Sequence, residues 1–112
     1  MELRVRLSIK YKMSICIKIH KSYRNVVAIA DGDLIGKKFE EGKRQLDIRE
    51  NFYKNQEMNE EQAMKIIKTQ FVEDSTFNIV GEESIRLAIK SGIIFQETVD
   101  YIDNIPFALK LL

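Results

Sequence analysis

Nine apolar residues take alternate positions at the start of the chain, in MELRVRLSIKYKMSICIKIHK: Leu3, Val5, Leu7, Ile9, Tyr11, Met13, Ile15, Ile17 and Ile19. Successive side chains of a strand point to opposite faces, so this alternation predicts a β-strand. A strand over all of residues 3–19 would be unusually long at about 3.3 Å per residue, which predicts a bend near Lys12-Met13. Val26-Val27-Ala28-Ile29-Ala30 is β-branched enough for a second strand. Lys21-Ser22-Tyr23-Arg24 is then the turn of a hairpin. A second hairpin is expected around Gly42, with Phe39, Leu46 and Ile48 facing the core. Residues 50–55 read as a loop or one helical turn.

The pattern changes to helical spacing after residue 58. Asn59-Glu60-Glu61-Gln62 is a capping box, and Ala63, Met64, Ile67 and Phe71 follow along one face, predicting a helix over residues 60–71. Residues 75–80 read as a short strand. Gly81-Glu82-Glu83-Ser84 opens a second helix, with Ile85, Ala88 and Ile89 as its stripe and Gly92 as its stop. Residues 98–102 are expected to be a strand. Pro106 sits in an extended tail that ends in Phe107 to Leu112 and could dock on this domain or on a neighbour. The class is α+β: a single small domain of mostly antiparallel β-hairpins followed by two helices with short strands.

Composition fits a folded domain: 112 residues, 45% hydrophobic and 31% charged. No apolar run approaches the roughly 20 residues needed to cross a bilayer, and the N-terminus alternates where a signal peptide would be a block. The expectation is a soluble cytoplasmic protein without a membrane partner. A single cysteine, Cys16, excludes an internal disulfide. The net charge of +1 conceals a segregation. Residues 1–24 hold seven Lys/Arg against one acid, Glu2, and residues 55–112 hold five against ten. The basic excess lies in the alternating segment, which points to a polyanion partner.

Four phrases, in order, carry a family resemblance: Ile17-Lys18-Ile19-His20-Lys21-Ser22; Leu34-Ile35-Gly36-Lys37-Lys38-Phe39-Glu40-Glu41-Gly42; Leu46-Asp47-Ile48-Arg49-Glu50-Asn51-Phe52-Tyr53; and Asn78-Ile79-Val80-Gly81-Glu82-Glu83-Ser84. Together they resemble the small archaeal proteins grouped as domain of unknown function 424, over roughly residues 14–107. The resemblance implies an archaeal setting and an association with translation. It begins near Met13, so residues 1–12 read as an extension of a domain spanning 13–112, or Met13 is the native start. Where that family carries a histidine after the proline, this chain has Phe107.

Chemistry-bearing residues are sparse. His20 is the only histidine and lies two positions along the strand from Cys16. Two ligands fall short of the four of a structural zinc site, and a lone strand cysteine is mostly a small hydrophobe. Asp31-Gly32-Asp33 lacks the spacing of a calcium loop. Gly36-Lys37-Lys38 and Gly81-Glu82-Glu83 lack the phosphate-loop signature. The expectation is no enzyme, no cofactor, no metal and no small-molecule substrate.

Basic strand residues can instead track phosphates. The candidate RNA-binding set is Arg4, Arg6, Lys10, Lys12 and Lys18 on the strand, Lys21 and Arg24 in the turn, and Lys37, Lys38, Lys43 and Arg44 around the second hairpin. Tyr11 and Tyr23 are candidates for stacking on bases. Six phosphate contacts would give a slope of log K on log salt of about −5. A plain solvated face, or lysines that keep an edge strand from aggregating, would look similar. The expected function is an archaeal translation-associated protein that contacts ribosomal RNA and ribosomal proteins. The alternatives are a protein-binding adaptor that uses its acidic C-terminal half, or an enzyme with a pocket gathering His20, Cys16 and acids.

Overall fold

A computed structural model describes residues 14–111. Arg4, Arg6, Lys10, Lys12 and Tyr11, and the bend expected near Lys12-Met13, lie outside the described residues. Strands β1 (Ile15–His20) and β2 (Val26–Asp31) form the expected antiparallel hairpin, with Cys16 opposite Ala30 and His20 opposite Val26. The second expected hairpin is β3 (Lys38–Glu41) with β4 (Arg44–Asp47). One helical turn, α1 (Glu50–Tyr53), and a two-residue strand, β5 (Glu57–Met58), lead into helix α2 (Glu60–Val72). Strand β6 (Thr76–Val80), helix α3 (Glu82–Ser91), β7 (Asp100–Ile102) and β8 (Ile105–Lys110) complete the chain.

Six strands make one mixed sheet in the order β5-β1-β2-β6-β8-β7. Its centre is a parallel pair, β2 with β6, between antiparallel neighbours. The period-two pattern sorts side chains onto two faces. Ile15, Ile17, Val27, Ile29, Phe77 and Ile79 pack with Ala63 and Ile67 of α2 and Ile85, Leu87 and Ala88 of α3. On the opposite face Ala28, Ala30 and Val80 pack with Ile48 and Tyr53, flanked by Phe39, Leu46 and Phe52. The small alanines let α1 and the β3–β4 hairpin lie close to the sheet. Phe39 and Leu46 are half-buried and Ile48 is fully buried, so the expected core face of this hairpin holds.

The capping box is present in full. Gln62 N–H donates to Asn59 Oδ1 at 2.9 Å, and Asn59 N–H donates to Gln62 Oε1 at 3.1 Å. Gly92 adopts φ +87° just past α3, the left-handed conformation that ends helices on glycine. Two expectations need correction, and one is settled between its alternatives. Gln96–Thr98 is a short 3₁₀ turn, so the strand starts at Asp100 and not at residue 98. The tail from Pro106 is strand β8, inserted between β6 and β7, with Pro106 and Ala108 buried. It docks on its own domain. Phe71, read as core, is 43% exposed, with the Lys110 ammonium 5.6 Å above its ring.

Candidate nucleic-acid interface

The β1–β2 turn joins two buried strands at one end of the sheet, and a set of hydrogen bonds fixes its backbone. Ser22 Oγ donates to Arg24 O at 2.6 Å, and Ser22 N–H donates to Asn25 Oδ1 at 3.3 Å. Thr76 N–H donates to Asn25 O at 3.0 Å, tying the turn to β6. Asn25 Nδ2 reaches Gln70 Oε1 at 3.4 Å, which also accepts from Ser75 Oγ at 2.7 Å. Gln70 and Ser75 are buried, so the turn is bolted to the C-terminal end of α2. Arg24 Nε adds a bond to Asp74 O at 3.0 Å.

Lys21, Tyr23 and Arg24 project from this anchored backbone, and Tyr23 is 103% exposed. Among the described residues no carboxylate pairs with Lys21 or Arg24. The same end carries exposed Val72 and half-exposed Phe71 from α2 on the helix-covered face of the sheet, while Leu109, in step with Phe107 along β8, stands on the opposite face.

The other predicted basic residues are placed differently. Lys18 is half-buried, and its Nζ donates to Asn51 O at 2.8 Å, so it holds α1 against β1. Lys37, Lys38 and Lys43 are exposed on the second hairpin, at the β7 edge of the sheet. Lys38 stands opposite Asp47 across the ladder. Arg44 forms an ion pair with Asp100 at 2.6 Å, and its guanidinium lies 5.9 Å from the Phe107 ring centre. The pair holds the Asp100 carboxyl below the usual range through that hydrogen bond. The structure therefore brings Lys21 and Arg24 together and sets the hairpin cations apart from them. Lys18 and Arg44 have structural partners.

His20 and Cys16 do share a face, but not a pocket. The His20 ring stacks on Phe52 with centroids 4.5 Å apart, and its Nε2 lies 2.8 Å from Phe52 O. Cys16 Sγ donates to Asn55 O at 3.2 Å and lines a cavity of about 150 Å³ with Glu50, Lys54 and Glu57, to which His20 does not contribute. No group of three or more His, Cys, Asp or Glu among the described residues is placed to hold a metal.

The N-terminus of α3, at the carboxyl ends of the parallel strands, is where a phosphate would bind if the fold offered it a site. Asp31 fills it. Its Oδ1 accepts from Ser84 N–H at 2.8 Å and Ser84 Oγ at 2.7 Å, and its Oδ2 accepts from Glu83 N–H at 3.1 Å. Burial pushes the Asp31 carboxyl up despite these bonds. The sequence around Asp31-Gly32-Asp33 signals only a turn or a helix start. The role of Asp31 rests on partners more than 50 residues away, which no local pattern displays.

The family model described as protein of unknown function (DUF424) matches residues 19–111. The chain belongs to this family. The match includes the turn with Lys21, Tyr23 and Arg24 and the second hairpin. It begins after Arg4, Arg6, Lys10, Lys12 and Lys18. An uncharacterized conserved protein from Methanopyrus kandleri, known from its crystal structure, shares the fold with this DUF424 chain at a TM-score of 0.77. The two are 24% identical, and the match covers 86% of this chain and 89% of that one. No curated protein matches the chain. No helix among the described residues is long and apolar enough to cross a membrane.

Proposed function

We propose that this protein associates with the archaeal ribosome in the cytoplasm, laying its basic N-terminal segment and the β1–β2 turn on ribosomal RNA. One observation carries the reading. Seven Lys/Arg stand against one acid in residues 1–24, and Lys21 and Arg24 project from the fold without a carboxylate partner among the described residues. Like charges gathered on one segment repel each other unless a polyanion relieves them. Phosphate contacts of this kind give affinity and position without reading sequence. Phe71 and Val72 beside the turn give a neighbouring ribosomal protein apolar surface to cover. The protein acts as a binding module and not as an enzyme.

Sedimentation tests the reading. The full chain should travel with ribosomal particles in low salt and be released as salt rises. Charge reversal at Arg4, Arg6, Lys10 and Lys12 together with Lys21 and Arg24 should abolish the association. Absence from ribosomal fractions in low salt, or retention by the reversed variant, would refute it.

A further inference from the structure

We infer that the β1–β2 turn binds an unpaired nucleotide, with the Tyr23 ring as a stacking platform between the cations of Lys21 and Arg24; the inference rests on the RNA reading above. The argument starts from a mismatch between backbone and side chain. The backbone of the turn is held by Ser22, by Asn25 through Gln70 and Thr76, and by Arg24 on Asp74 O. The Tyr23 side chain on it is 103% exposed. Folding does not bury this ring, and a solvated turn has no need of one.

A rigid pedestal with an exposed aromatic is what base stacking requires. The ring offers both faces, and the anchored backbone loses little entropy when a ligand arrives. Stacking on an aromatic is open to any base that has left its helix, because every base has a π-face. Lys21, two residues before the ring, and Arg24, next to it, supply charge for the phosphates on either side of the stacked base. A continuous duplex keeps its bases stacked on one another and offers only its phosphates. The same turn would hold a duplex by charge alone.

Tyr23→Trp provides the test, because the chain has no tryptophan and the new indole is the only one. The full-length variant is titrated with a short oligouridylate and with a blunt duplex of equal phosphate number, and tryptophan emission and probe anisotropy are followed. The oligouridylate should quench the indole, and the duplex should bind without quenching. Tyr23→Ala should weaken oligouridylate binding about tenfold or more while leaving duplex binding within about twofold. Tyr23→Phe should retain the wild-type preference, since stacking uses the ring and not the hydroxyl. Equal binding of both probes, with no quenching and no effect of Tyr23→Ala, would overturn this inference and leave the RNA reading intact. Binding of neither probe in low salt would overturn both.

Discussion

Replacing Gly81 with alanine should remove a large part of the stability of this fold. Gly81 precedes α3 at φ +110° and ψ 151°, a region almost closed to residues with a Cβ, which costs about 1–3 kcal/mol to enter. A Cβ there would stand 2.6 Å from both Asp31 Oδ1 and Oδ2. The backbone of Asp31 is the last of β2, paired opposite Ile15, so the carboxylate yields and not the strand. Once it moves, Glu83 N–H, Ser84 N–H and the Ser84 hydroxyl lose their acceptor. Ser84 is fully buried, so water does not replace that acceptor. Loss of the cap and its orphaned donors costs about 2–4 kcal/mol. Together with the backbone strain the expected loss is about 3–7 kcal/mol, from a total that for such domains is about 5–15 kcal/mol. Urea unfolding followed by circular dichroism measures it in wild type, Gly81→Ala, Asp31→Ala and the double variant. Asp31→Ala alone should cost about 2–4 kcal/mol. Because it removes the atoms that the new Cβ strikes, the sum counts the lost cap twice, and the double variant should fall short of it by about 2–4 kcal/mol. A loss under about 1 kcal/mol for Gly81→Ala, or strict additivity, would show that the two residues do not act through one contact.

Asn59→Ala removes the side-chain acceptor of Gln62 N–H and leaves the backbone bond from residue 59 to Gln62 Oε1; it should cost about 1 kcal/mol in the same urea assay, with Asn59→Asp close to wild type. Glu60 accepts from Lys90 and Arg86, and these hydrogen bonds hold its carboxyl below the usual 4.5. Its contribution is therefore present above pH 4.5 and lost as pH falls through the lowered folded value; Glu60→Gln should flatten that acid limb. These are surface pairs, so the difference should stay under about 1 kcal/mol and shrink in high salt. Asp31 carries the opposite sign: burial raises its carboxyl above 3.8, so its linkage term favours the fold below pH 3.8 and fades as pH rises through the raised folded value. A profile in which wild type loses more stability than Asp31→Asn on acidification towards pH 3.8 would contradict that sign.

Much of the fold is legible because local chemistry and global topology agree. The alternation through Ile15, Ile17 and Ile19 sets β1, and Asn59-Glu60-Glu61-Gln62 and Gly92 mark helix ends that the structure keeps. The β7–β8 hairpin is different. Its two-residue turn is Asp103-Asn104, both at positive φ, a turn type whose twist suits paired strands. Yet β7 has three residues, too few to display alternation, and Pro106 argues against a strand that pairs on both sides. Pro106 is tolerated because it is the second residue of β8, where the ladder begins. β5 has two residues and no pattern at all. The candidate interface was legible as charge and not as placement. Sequence names Lys18 and Arg44 as readily as Lys21 and Arg24. Only the packing of Lys18 onto Asn51 O and of Arg44 onto Asp100 and Phe107 distinguishes them.

The way the fold employs its charges bears on the choice between RNA and a basic protein as partner. An adaptor that recognised through its acidic half would keep those carboxylates available. Several are occupied inside the molecule. Glu60 and Glu83 hold Arg86, and Glu60 also holds Lys90, joining α2 to α3. Asp100 holds Arg44, fastening the second hairpin to the sheet edge. Breaking these contacts to engage a partner would cost the domain its own tertiary connections. The cations of the β1–β2 turn carry no such duty towards carboxylates among the described residues. Arg24 spends one bond on a backbone carbonyl, which leaves its charge in place. Charge that folding does not use, held on a rigid turn beside an aromatic ring, is available to a ligand. That asymmetry favours a polyanion at the turn over a basic protein at the acidic half.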